Sequence, residues 1–471
     1  LTLSYILFVQ PFVMSLALPA GTDPAEVAAF QSSVLTAVCI ASALACLVVG
    51  LLANFPVALA PGMGHNFFFS LIVCKTMGFT WQQALAANLI AGGVFLVLSV
   101  AGMLVPRLDP RVMLFGAMPR GLQSAIGVGI GLLIAFVGLE YAGVVVRTNS
   151  GMGIGLGLGT VPWAPVVVVI AGLLAFGVLW ARNVVGSPLW AILVSALTAV
   201  VITWTGWAEL LERPDGIVAA PTLSATAFHL DFRGLFDLRL DAVVIAIATF
   251  LFLDVFDTVG TLAAVAQRAG LMSREGQIDR GVGGAFVADA AGTVVGAALG
   301  TSTITSYVES LAGVHAGART GLAAIGVAVL FLLAMFLSPL IGVVAAPYMV
   351  SLPVWDVVAG SVATTQPAGP AVATVTMAMV PLYPCLAAVL IGIGALMLYT
   401  VRDIEWADPT EAVPCFLCMI MMPLTVSITD GIAFGFISHV VLKVFTGRWR
   451  QVHPFIAVCA ALLAVRYIYM V

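Results

Sequence analysis

Long apolar runs alternate with short polar connections along the whole chain. A helix needs about 20 apolar residues to cross a bilayer. Runs of that order lie near residues 1–19, 32–53, 82–105, 121–139, 164–181, 187–208, 241–266, 284–299, 320–346 and 379–400. Shorter apolar pieces fall at 66–78 and 303–313. Residues 411–446 have room for two short spans, and 454–470 is one further short segment. The pattern predicts an all-α polytopic membrane protein of about 14 transmembrane segments.

Two elements break this pattern. Residues 56–66, PVALAPGMGHN, hold two prolines and two glycines before an asparagine; residues 296–306, GAALGTSTITS, hold glycines and then a run of hydroxyls. Broken backbone at membrane depth persists only where it lines a cavity or is buried in protein. Each break precedes a short apolar segment, and the two are about half the chain apart. Interrupted short segments in corresponding positions of two halves point to a transporter site. The division predicted is 1–235 and 236–471, as two inverted repeats. The bland alternative is a pair of ordinary helix kinks.

Composition supports the membrane reading and excludes others. Of 471 residues, 62% are hydrophobic and 8% charged, and mean hydropathy is +1.15; a soluble domain carries roughly 25% charged residues. The net charge of −4 comes with no basic stripe, so no nucleic-acid partner is expected. Arg107, Arg111 and Arg120, then Arg268, Arg274 and Arg280, and finally Lys443, Arg448 and Arg450 mark cytoplasmic connections, whereas 20–31 and 347–371 hold no Lys or Arg. By the positive-inside rule the N-terminus is cytoplasmic and the long 209–240 segment external. The chain opens inside an apolar run, LTLSYILFVQPFVMSLAL, so the first span reads as shortened at its start. Cys415 and Cys418 share a helix face with no His or second Cys pair near them in sequence; they read as packing residues, and no metal site or disulfide framework is expected. GMGIGLGLG (151–159) has dinucleotide-like glycine spacing without the flanking strand and helix, and reads as a flexible external loop. Neither a P-loop nor a G-x-S-x-G is present. No cofactor and no enzymatic activity are expected.

The candidate chemistry is acidic. Asp254 and Asp257 interrupt the run TFLFLDVFDTVGTL, and Glu309 lies in GTSTITSYVES. Ionisable residues inside spans are costly unless they face a polar cavity or one another, which makes them functional candidates. Asp254 and Asp257 are three apart and share a helix face. Two carboxylates there tolerate joint ionisation poorly, so one is a candidate proton carrier. Asp257 has a second reading as a helix cap or an arginine's partner. Asp254 and Glu309, on separate segments, suit a planar heterocycle offering N–H donors, with Thr301, Ser302 and Thr303 and half-helix N–H groups as further contacts. Asn66 can both donate and accept. Phe67 and Tyr307 stand beside the two breaks as stacking candidates. His65 and His315 read as hydrogen-bonded neighbours, with Arg319 close to the second.

Four stretches carry a resemblance: NFPVALAPGMGHN (54–66), FLDVFDTVGTLAAVAQRAGL (252–271), ADAAGTVVGAALGTSTITSYVESLAGVHAGARTGL (288–322) and MMPLTVSITDGIAFGFISHVV (421–441). They resemble the azaguanine-type purine permeases, a branch of the nucleobase–cation symporter family related to uracil and xanthine permeases. The resemblance covers nearly the whole chain. It implies 14 segments in two inverted seven-segment repeats, with core segments 1–4 and 8–11 and gate segments 5–7 and 12–14. Segments 3 and 10 would contain short extended stretches that meet. It also implies a homodimer in the plasma (inner) membrane that moves a nucleobase, usually with H⁺, by an elevator-like shift. By position, Asp254 and Glu309 match the family's substrate-binding acids, with Tyr307 and the Val308 backbone beside the second. Gly64 and Asn66 match the segment-3 pair, Phe67 a stacking aromatic, and Thr258 the place of a histidine in uracil permeases.

Three departures stand out: the short first span, His65 and His315 in place of apolar residues, and a long 345–378 stretch expected to form an external loop. The function expected is import of hypoxanthine, guanine or adenine by H⁺ symport, with Asp257 or Glu309 as the proton carrier. The rivals are a carrier of the same fold for uracil, xanthine or an organic anion, and a non-transporting channel or receptor.

Overall fold

The structure is a computed structural model that describes residues 3–19, 21–104, 119–148, 155–158, 163–211, 216–271, 281–358, 372–425, 428–454, 456–457, 460–461 and 463–464. In chain order the first elements are α1 (Ile6–Ser15), α2 (Pro24–Val48), β1 (Leu59–Pro61), α3 (Met63–Phe67) and α4 (Trp81–Leu104). Next come α5 (Arg120–Tyr141), β2 (Val145–Thr148), β3 (Gly155–Leu158), α6 (Trp163–Ala181), α7 (Ser187–Trp204) and α8 (Phe232–Asp237). The second half begins with α9 (Leu240–Ala269), α10 (Val282–Leu299), β4 (Ile304–Ser306), α11 (Ser310–His315), α12 (Leu322–Ala334) and α13 (Ser338–Val344). It ends with β5 (Tyr348–Val358), β6 (Val372–Leu382), α14 (Pro384–Met397), α15 (Pro409–Thr425) and α16 (Ile428–Phe445). Among the described residues, nine helices are long and apolar enough to cross a membrane.

The chain divides into two compact units. One comprises Leu1–Gln123, Pro214–Gly342 and Lys443–Val471; the other comprises Ser124–Arg213 and Val343–Leu442. Every candidate site residue lies in the first.

Local chemistry sets where the first unit's helices start and stop. Asp23 accepts from the Ala25 amide at 2.9 Å, and Pro24 occupies the first position of α2, the usual opening of a helix. Helix α2 widens into a π turn at Val49–Ala53 and ends at left-handed Asn54. A second π stretch, Phe68–Thr76, continues α3. Such turns gather at functional places because they free backbone groups from the regular ladder. Helix α10 ends at Gly300, whose φ of 102° a side chain would strain. The Thr226 hydroxyl donates there to the Leu299 carbonyl at 3.0 Å, and a β-carbon on Gly300 would strike Thr226. Helices α4 and α10 approach closely because Gly92 has no side chain; a β-carbon there would lie 2.6 Å from Thr293 Cγ2.

In the second unit, α6, α7 and α14 share a core of Val168, Ala199, Ile202 and Cys385. Cys415 and Cys418 are buried and free. The expectation of an all-α chain needs an addition here. Of residues 345–378, read as an external loop, 348–358 and 372–378 belong to the paired strands β5 and β6, which run from Tyr348↔Leu382 to Val358↔Val372, while 359–371 lie outside the described residues. The run VATVTMAMV, rich in β-branched residues, carries that signal. Part of the glycine-rich 151–159 stretch is likewise a strand, β3 against β2, while 151–154 and 159 lie outside the described residues. So do most of the cytoplasmic-marked loops, 105–118 and 272–280, and much of 454–470.

Candidate functional site

The two sequence breaks meet. β1 pairs antiparallel with β4, Leu59 facing Ser306, Ala60 facing Thr305 and Pro61 facing Ile304. The pairing extends at both ends: Gly62 N–H donates to the Thr303 carbonyl and Tyr307 N–H to the Ala58 carbonyl, both at 3.0 Å. Prolines 56 and 61 deny the first break a helix, and two extended stretches satisfy each other's backbone, as membrane burial demands. The Tyr307 hydroxyl adds a bond to the Pro61 carbonyl, and the Ala58 amide donates to Ser310 Oγ at 3.0 Å. Gly62 must be glycine: a β-carbon would meet the His65 ring and Thr305.

Around this junction lies a buried polar cluster. Asp254, 2% exposed on α9, accepts from Thr293 Oγ1 at 3.1 Å; the same hydroxyl reaches the Ile304 carbonyl at 2.9 Å. Thr258, one turn on, donates to Asp289 Oδ2 at 2.7 Å and lies 3.1 Å from Thr305 Oγ1. Asp289, fully buried on α10, faces Asp254 directly. One oxygen of each carboxyl, Oδ1, has no donor among the described residues.

The hydroxyls of the second break turn inward rather than toward a ligand. Ser302 Oγ donates to Asn66 Oδ1. Thr303 Oγ1 donates to Asn88 Oδ1 at 2.6 Å. Thr301 and Ser302 both accept from Gln10 Nε2, at 3.1 and 3.0 Å. The expected half-helix is the six-residue α11, with Glu309 just before it and no side-chain cap there.

Exposure separates the candidates into two layers. Asp254, Asn66, Phe67, Thr258, Thr301, Ser302 and Tyr307 are buried. Val308 is 50% exposed, Asp257 is exposed, and Glu309 and Gly64 are half-buried. Glu309 Oε1 accepts from the Tyr5 hydroxyl at 2.9 Å. Asp257 adjoins Thr305 and senses the Glu309 charge. Phe67, at 1% exposure, presents no open face in this structure. His65 is buried beside Gly62 and the Leu253 backbone, its Nε2 without a partner among the described residues. The side chain of His315 lies outside the described residues, and Arg319 donates to the Val314 and Ala318 carbonyls at 2.6 and 2.7 Å. The groups bonded here are carboxyls, hydroxyls and amides.

The family described as Permease family (Xan_ur_permease) matches residues 1–365. The chain belongs to it. This permease is 38% identical over 455 residues to the guanine/hypoxanthine permease PbuG of Bacillus subtilis strain 168, covering 96% of this chain and 90% of the relative. It is 35% identical over 471 residues to the adenine permease AdeP of Escherichia coli K12, covering 100% and 91%. The transmembrane domain of the cyanobacterium bicarbonate transporter BicA has the same fold, with a TM-score of 0.57 at 13% identity over 92% of this chain and 97% of that one. The permease is an integral membrane protein, in keeping with its apolar helices.

Sequence reasoning missed Tyr5, Gln10, Asn88, Asp289 and Thr293. Gln10 and Asp289 each had a signal, a lone polar residue inside an apolar run. Asn88, in ALAANLIAGG, had the same signal, while Tyr5 and Thr293 had none that sets them apart.

Proposed function

We propose that this permease imports purine nucleobases (hypoxanthine, guanine or adenine) across the plasma membrane together with H⁺. The observation that carries the reading is the acidic and amidic character of the junction. Asp254 and Glu309 flank it, and Asn66 supplies an amide. Carboxylates accept the N–H donors along a purine's edge, and an amide reads a donor or an acceptor. An organic or inorganic anion would meet repulsion there. The names of the relatives PbuG and AdeP support hypoxanthine, guanine or adenine over uracil or xanthine.

Glu309 would bind substrate at the half-open edge, beside the Val308 backbone and Gly64. Asp257 or Glu309 would carry the coupled proton. The facing Asp254 and Asp289 offer a second place, since a proton between them gives each orphan oxygen a partner. Uptake then falls as external pH rises, because the co-substrate proton grows scarce. Thr258 and Tyr307 hold the frame, and Phe67 stacks only once it is uncovered.

The architecture goes with this function as 14 segments in inverted repeats, 1–235 and 236–471, with a cytoplasmic N-terminus, a homodimeric assembly and elevator-type alternating access. Each compact unit draws on both halves of the chain, which supports the repeat. The test is uptake of labelled hypoxanthine into cells lacking their own purine carriers, with unlabelled adenine, guanine, xanthine and uracil in competition. Saturable uptake blocked by purines and not by uracil is expected. Competition by uracil alone would overturn the substrate assignment, and non-saturable flux would indicate a channel.

A further inference from the structure

Helix α1 takes no part in the reading above, yet it enters the junction through Gln10. This side chain is fully buried and donates from one amide nitrogen to Thr301 Oγ1 and Ser302 Oγ. Ser302, having accepted, passes its own proton on to Asn66 Oδ1. The donors thus run from Gln10 through Ser302 to Asn66, with Gln10 Oε1 left unpartnered among the described residues. An asparagine amide has two faces, an acceptor oxygen and a donor nitrogen, and only its partners decide which points where. Here the oxygen is occupied. The nitrogen, in a residue with no exposed surface, has the Met63 thioether at 3.9 Å as its partner. Sulfur in a thioether is a weak acceptor on a flexible side chain. It holds the position that a stronger acceptor would take.

Resting on the purine reading of this site, we propose that Gln10 is a positioning residue for ligand recognition. Through Ser302 it holds the Asn66 amide with Nδ2 available to the ligand, so the ligand atom read there is a hydrogen-bond acceptor, a ring nitrogen or a carbonyl oxygen, that displaces the Met63 thioether. Asp254 and Glu309 read donors, and Asn66 reads an acceptor. The junction thus senses both polarities of one heterocycle edge. A site that hydrogen-bonds a ligand group rejects analogues lacking it, because the buried partner is then left unmade.

The test pairs transport with a ligand-free measurement on the full chain. Hypoxanthine, 3-deazahypoxanthine, 7-deazahypoxanthine and 6-thiohypoxanthine, which keeps N1–H and replaces the 6-oxygen by a weakly accepting sulfur, compete for uptake by the wild type and by Gln10→Leu and Gln10→Glu. In the wild type, one of the three acceptor changes is expected to weaken competition by about tenfold, as for one lost hydrogen bond. Both variants should bring that single ratio close to one, Gln10→Glu because its carboxylate draws the Ser302 proton away from Asn66. The other two ratios should hold. Unchanged ratios, or all three falling together, would overturn the proposal in favour of a merely structural Gln10.

The second measurement is a double-mutant cycle of Gln10→Leu and Asn66→Ala in thermal melts of the purified permease, repeated with Ser302→Ala. The two shifts should be non-additive and become additive once Ser302 is removed. Additivity from the outset would refute the relay. If the wild type takes up no purine, the substrate reading fails, and the melts alone still decide whether Gln10 acts on Asn66.

Discussion

The two broken stretches form the same three-residue strand and pair with each other, yet they are made differently. The first, Leu59–Pro61 with Gly62 behind it, works through backbone. Its prolines and glycines set a path, and apart from Asn66 it brings little polar side-chain chemistry. The second, Ile304–Ser306 with Thr301 to Thr303 before it and Glu309 after, works through side chains. The hydroxyls of Thr301, Ser302 and Thr303 have partners on α1, α3 or α4, between 215 and 292 residues away in the chain, and Thr305 lies against Thr258 of α9. One stretch supplies shape and the other supplies polarity. A substitution in the first should therefore act on folding, and one in the second on transport.

The largest expected effect is at Glu309. Glu309→Gln keeps the volume and removes the charge, so concentrative uptake should fall roughly 100-fold or lose its pH dependence, with the melting temperature of the purified protein unchanged. Normal pH-dependent accumulation by this variant would remove Glu309 from the coupling site. Gly62→Val should do the opposite to the melt. Its side chain meets Thr305 and the His65 ring, and overpacking at such a point costs about 1–3 kcal/mol. Thermal stability in detergent should drop, and uptake with it. A stable, active Gly62→Val protein would show that the strands do not approach this closely.

Between these lies Thr293→Val, near-isosteric but without the hydroxyl that bonds Asp254 and the Ile304 carbonyl. Leaving those acceptors unmet costs about 1–3 kcal/mol; since Thr293 ties the second strand to Asp254, melt and KM should move together. The smallest effect is Tyr5→Phe, which deletes one donor to Glu309. About 1 kcal/mol is at stake, so KM for hypoxanthine should rise about fivefold with Vmax little changed.

The same comparison explains what could be read in advance. The breaks at 56–66 and 296–306 were legible because proline and glycine inside apolar runs are local signals. Asp254 and Glu309 were legible because a charge in membrane-grade sequence is conspicuous. The pairing of side chains was not. Nothing in one sequence links Gln10 to Ser302 or Asn88 to Thr303, and the hydroxyls read as ligand contacts are spent on these partners. Asp289 was overlooked among small residues, although the rule that singled out Asp254 applies equally to it. The hairpin of residues 348–358 and 372–382 was hidden because apolar residues in a membrane chain read as helix or loop, which outweighed the β-branched residues of 372–380.

The most direct test of the whole account is uptake by the purified permease in proteoliposomes with an imposed pH gradient, acidic outside, and no other energy source. Labelled hypoxanthine should accumulate above its external concentration and leak back when a protonophore collapses the gradient. Equilibration to equal concentrations with no response to the gradient would contradict the proposal that the acidic junction couples purine to proton movement.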